Sequence, residues 1–120
     1  LQTTGLALSA VALANPTPGT AGQFTGKIRK SLKWSMAPNA KGMPLVDAFR
    51  KLRECGFEGV EPRVGEVKDA AEWIAASKAS GLIIDGTVGA SADDLEGGID
   101  LTKKLGGDSM LVVARYDQKQ

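Results

Sequence analysis

Histidine is absent from all 120 residues, which removes the commonest general base and a frequent metal ligand. Cysteine occurs once, at Cys55, so no internal disulfide can form. Next to Gly56, on the apolar side of a helical pattern, that thiol is expected to be a packed small hydrophobe rather than a reactive group. Charge of one sign is not in excess: 15 basic residues against 14 acidic ones leave a net +1. There is thus no global field to draw nucleic acid or an anionic membrane. Long hydrophobic runs are also lacking. The most extended stretch of small and apolar residues, Gly5 to Ala14, is too short to span a bilayer. No G-x-G-x-x-G follows the first candidate strand and no P-loop occurs, which argues against a nucleotide site.

What is present is an ordinary globular balance, 42% hydrophobic and 24% charged, in a chain long enough for one domain. The first 26 residues carry no charge. Within them the segment 5–14 ends in Ala12-Leu13-Ala14, the pattern of an export-signal core followed by an A-x-A cleavage motif. The alternative is a buried N-terminal helix. Asn15-Pro-Thr-Pro-Gly-Thr-Ala-Gly then reads as linker. The division expected is 1–14 signal remnant, 15–27 linker and 28–120 folded domain, with an exported, periplasmic or extracytoplasmic bacterial location. The moderate hydrophobicity and the opening Leu1-Gln-Thr-Thr-Gly5 resemble the tail of a twin-arginine leader.

Gly56, Gly81 and Gly106 stand at intervals of 25 residues, each between a helical pattern and an apolar run. Glycine ends helices because it takes the left-handed conformation without a Cβ clash, so this period predicts repeated βα units. Ser31–Met36 alternates, with Leu32, Trp34 and Met36 on one face, and predicts a first strand. Pro44 suits the first position of a helix whose apolar side is Leu45, Ala48, Phe49, Leu52 and Cys55. Phe57–Glu61 predicts a second strand, stopped by Pro62. A second helix is expected from about Asp69 to Ser80, with Ala70, Ile74 and Ser77 or Lys78 along one side. Leu82–Val88 predicts a third strand, buried on both faces. Ser91 is expected to cap a third helix, with Asp94 at the capping-box position and an inner stripe of Leu95, Ile99, Thr102 and Leu105. Gly97-Gly98 weakens that helix by about 1 kcal/mol per glycine relative to alanine. Ser109–Ala114 predicts a fourth buried strand.

Parallel strands joined by helical crossovers either stay open as a doubly wound sheet, of which a flavodoxin-like one fits this length, or close into an eight-stranded barrel. A barrel normally needs about 250 residues, so on that reading the chain forms the N-terminal half of a (β/α)8 TIM barrel.

Phe49–Pro62 (with Cys55-Gly-Phe-Glu-Gly-Val-Glu61), Ala79–Gly89 (with Gly81-Leu-Ile-Ile-Asp-Gly) and Leu105–Val113 resemble the xylose isomerase-like barrel superfamily, across about residues 28–117. Within it they are most similar to the sugar phosphate isomerase/epimerase group, which includes hydroxypyruvate isomerase-like proteins. The resemblance implies a metal-assisted proton transfer on an aldose, ketose or small hydroxy-carbonyl compound, free or phosphorylated. It also implies a divalent metal (Mn2+, Mg2+ or Zn2+) held on strands of the second half of the barrel, so no metal ligand or catalytic residue is assigned in this chain. The fragment alone is expected to be inactive. Some relatives carry a Trp-His pair after the third strand, whereas here Thr87-Val-Gly-Ala-Ser91 leads almost directly into the helix. The partner expected is a sugar or sugar phosphate, with no nucleic acid, no membrane span and homo-oligomerisation open. The alternative is an exported, non-catalytic barrel that binds a sugar or another partner.

Barrel sites are built at the C-terminal ends of strands. Glu61 occupies the acidic position of Gly-Val-Glu, either to bind substrate hydroxyls or as a carboxylate paired with Arg63 or Lys33. Trp34 and Met36 stand near the end of strand one, where they either line a sugar site or pack in the core. Arg115, in the polar cluster Arg115-Tyr-Asp117, is a candidate for binding a phosphate or carboxylate, against a plain solvated loop residue. Asp85, inside an apolar strand, is expected to be held by Arg, Lys or backbone. Lys27, Arg29, Lys30 and Lys33 read as a solvated approach to strand one.

Overall fold

The computed structural model describes residues 27–37, 40, 42–90 and 94–113. Its helices are set by their ends. Helix α1 (Leu45–Glu54) begins after Pro44, which is the N-cap itself (φ −53°, ψ 137°) rather than the first helical residue. Asp47 and Arg50 pair one turn apart at 3.1 Å. Helix α2 (Ala70–Ser80) is capped by Asp69, whose carboxylate accepts from the Ala71 amide at 2.8 Å. Helix α3 (Leu95–Leu105) is capped in the same way by Asp94, accepting from Gly97 N–H at 3.2 Å. The 25-residue period has one physical cause. Gly56, Gly81 and Gly106 take φ of 88°, 72° and 86°, which returns the chain from each helix toward the next strand. At Gly56 two bonds close the turn, Phe57 N–H to Leu52 O (3.0 Å) and Gly56 N–H to Arg53 O (2.9 Å).

The strands are β1 (Ser31–Lys33), β2 (Gly59–Glu61), β3 (Ile83–Ile84), β4 (Gly86–Ala90) and β5 (Ser109–Val112). All the pairings are parallel: β1 with β2, β2 with β3, and β4 with β5. The expected third strand is therefore two pieces. Its hydrogen bonding changes neighbour at Asp85, whose carbonyl accepts from the Asp108 amide (3.1 Å) and Ser109 hydroxyl (3.3 Å). Beyond the break, a parallel bridge of Arg63 with Val88 and a bond from Val88 N–H to Pro62 O (2.9 Å) still tie β4 to the end of β2.

Spatial order thus follows chain order. A flavodoxin-like sheet would place the first strand between the second and third, and a Rossmann sheet would place the fourth beside the first. Neither arrangement occurs among the described strands. Helix α1 packs on α2 and α2 on α3, so the helices share one face of an α/β structure.

That face holds the core: Phe49, Val60, Trp73, Ala76, Leu82, Ile84 and Leu105. Trp34, Phe49 and Trp73 meet edge to face, with ring centroids 5.2–5.7 Å apart. Four expectations need correction. The buried centre of α2 is Trp73 and Ala76, one residue round from the expected side. On α3, Gly98, Thr102 and Leu105 are buried, whereas Leu95 and Ile99 are 39% and 40% exposed. The turn is set by Gly98, where a Cβ would stand 2.7 Å from Ala90 Cβ and 2.9 Å from Met110 Sδ, so a close helix–strand approach requires the glycine. Cys55 is exposed, because it caps α1 beyond the last full turn. Strand β5 is an exposed edge, with Leu111 57% and Val112 39% accessible, since no described element covers its far side.

Candidate functional site

Side chains alternate along a strand, and residues in parallel register share a face. Val60 and Ile84 point into the helix-side core, so Ser31, Lys33, Gly59, Glu61, Ile83 and Asp85 belong to the opposite, helix-free face. The face is polar at two levels. At the N-terminal ends, Ser31 Oγ donates to Asp85 Oδ1 at 2.9 Å. The bond passes over Gly59, where a Cβ would stand 2.9 Å from Asp85 Oδ2 and 3.1 Å from Ser31 Oγ. Asp85 is thus held by a hydroxyl, not by the arginine, lysine or backbone group expected. This bridge ties Ser31 at the start of β1, across Gly59 of β2, to Asp85 directly after β3 and fits a structural role.

At the C-terminal ends, Lys33 and Glu61 are register partners on β1 and β2. Both are half-buried. Among the described residues the one ion pair is that of Asp47 with Arg50, so Glu61 pairs with neither Lys33 nor Arg63. The backbone beyond Glu61 is fixed on both sides. Pro62 is fully buried, and the carboxylate of Glu66 accepts from Arg63 N–H at 2.8 Å, closing the short 3-10 turn Val64–Glu66.

Trp34 follows Lys33 directly and falls on the helix side. Its ring packs against Phe49 and Trp73 and forms one wall of an apolar pocket of ≈ 170 Å³ between the loop after β1 and helix α1. Ala37, Met43, Leu52 and Cys55 are among the other walls. Glu61 does not line that pocket, so the structure does not bring Trp34 and Glu61 to one cavity. Met36 is 65% exposed. Arg115, Tyr116 and Asp117 lie outside the described residues.

No three His, Cys, Asp or Glu side chains converge among the described residues, and Glu61 alone does not make a divalent-metal site. No described helix is long and apolar enough to cross a membrane. Sequence reasoning treated Lys33 as part of a solvated basic run. The expected alternation over Ser31–Met36 holds only to Lys33, because Trp34–Met36 turn as a 3-10 helix. It places Lys33 opposite Leu32, but the alignment of Lys33 with Glu61 needs the register. No protein-family profile, curated protein or solved structure matches this chain.

Proposed function

We propose that residues 28–120 are the leading βα units of a xylose isomerase-like (β/α)8 barrel, and that the protein is a sugar or sugar phosphate isomerase or epimerase. The observation that carries this reading is the strand order. Four parallel strand positions follow one another in chain order, with the helices on one face, which is how a singly wound barrel begins. The polar pair at the strand C-termini agrees with it, since barrel sites are assembled there.

On this reading the reaction moves a proton between neighbouring carbons of an aldose, ketose or small hydroxy-carbonyl compound. Glu61 accepts hydrogen bonds from substrate hydroxyls, and the helix-free face forms part of the barrel lumen. The metal implied by the resemblance has no ligand set among the described residues. The segment 5–14 acts as an export signal, with a mature N-terminus at Asn15 that N-terminal sequencing of the exported protein would show.

The test is an NMR assay of the intact protein with aldoses, ketoses and hydroxypyruvate in D2O, with and without Mn2+ or Mg2+. Interconversion with solvent deuterium entering at carbon, reduced at least tenfold in Glu61→Gln, is the expected result. Binding without exchange would replace the isomerase with a sugar-binding barrel. Neither binding nor exchange would end both readings.

A further inference from the structure

Lys33 and Glu61 stand on adjacent strands with their Cα atoms in register, about 4.8 Å apart in a parallel ladder. Opposite charges so placed ordinarily pair across the strands. Here they do not, although both are half-buried and no ion pair other than Asp47 with Arg50 forms among the described residues. No other described group on the face takes up either charge. Asp85 is engaged by Ser31, Glu66 is spent on the Arg63 amide, and Ile83 and Val88 are apolar. By register and alternation, Lys33 is the one cationic side chain on this face within the described strands. Arg63, just beyond β2 and in register with Val88, falls on the same face but is exposed, whereas Lys33 is half-buried beside Glu61. The pair therefore offers three ammonium donors beside a carboxylate that only accepts. One ligand satisfies both when an oxyacid group, which Lys33 can bind, adjoins a hydroxyl-bearing carbon, which can donate to Glu61. A neutral sugar satisfies Glu61 and leaves the ammonium without a partner.

We propose that Lys33 selects substrates carrying an oxyacid group, carboxylate or phosphate, next to a hydroxylated carbon, with Glu61 holding the hydroxyl. This rests on the reading of the strand C-terminal ends as a sugar site and adds the chemical class of what enters it.

The test is calorimetric titration of the intact protein with glycerate, glycerol phosphate and the neutral polyol xylitol. Both acids are expected to bind more tightly than xylitol, and the tighter of the two identifies the group as carboxylate or phosphate. Lys33→Gln should weaken both acids at least about tenfold, the loss of one charge-assisted hydrogen bond, and leave xylitol unchanged. Lys33→Arg should retain most of the acid preference, and Glu61→Gln should weaken all three ligands. If xylitol binds as tightly as the acids, or if Lys33→Gln weakens all three equally, the role of Lys33 is overturned while the sugar-site reading stands. If the wild type binds none of them, both fall.

Discussion

The most informative single contact in the core is polar. Thr102 Oγ1 donates its one proton to the Gly98 carbonyl at 2.7 Å. The bond between the Thr87 and Thr102 hydroxyls, 2.6 Å, must therefore take its proton from Thr87. The two residues are 2% and 5% exposed, so neither hydroxyl has water as a substitute. This proton order makes the pair asymmetric. Thr102→Val removes the only acceptor of the Thr87 hydroxyl and should cost about 1–3 kcal/mol. Thr87→Val leaves Thr102 bonded to Gly98 and should cost roughly 1 kcal/mol or less. The double valine variant should recover part of the loss of Thr102→Val, because no buried hydroxyl is then left unpaired. Urea denaturation of the three variants measures this. Equal losses for the two single variants would contradict the proton order.

At the scale of elements, the glycine ends of the helices and the inner face of α1 were legible, whereas the start of α3, expected at Ser91 and found at Asp94, and the faces of α2 and α3 were not. Caps are local: a carboxylate directly before a helical run, accepting from an amide two or three residues on, and a glycine directly after it mark the two ends without knowledge of the rest of the chain. Asp69, Gly81, Asp94 and Gly106 occupy such positions. Asp69→Ala should destabilise the fold by about 1 kcal/mol, with amide exchange faster in the first turn of α2 than in α3. A loss confined to α3, or none, would refute the capping role.

Faces depend on what a helix meets. In α2, alanines at positions 70, 71, 75, 76 and 79 leave little apolar contrast, so the periodicity did not single out Trp73. In α3, Leu95 and Ile99 have the right spacing for an inner stripe, but the sheet takes the Gly98 side because only there can backbone and strand approach closely. The break at Asp85 and the register of Lys33 with Glu61 depend on residues far apart in sequence. Residue chemistry therefore marked Glu61 as a candidate, and only the pairing supplied its neighbour.

The whole molecule has two unlike edges. On one side β5 leaves Leu111 and Val112 accessible. On the other, β1 is entered through the charged residues Lys27, Arg29 and Lys30, all exposed. A strand edge flanked by exposed apolar side chains promotes association unless another strand covers it. Residues 28–120 produced alone should therefore self-associate at micromolar concentration, and Leu111→Lys should shift them toward monomer in analytical ultracentrifugation. In the intact protein the same substitution should have the opposite value. In register with Val88, Leu111 would point into the barrel, where an unpaired lysine should lower stability by more than about 2 kcal/mol. A monomeric, cooperatively melting 28–120 segment would speak for a small open sheet instead.

On the barrel reading this parallel sheet grows in one direction and closes. A crystal structure of the intact protein, read at its two outer strands, tests that most directly. A further parallel strand hydrogen-bonded to β5, another along β1, and Lys33 and Glu61 facing a common lumen are expected. A β5 edge open to solvent, or paired with an antiparallel strand, would contradict closure.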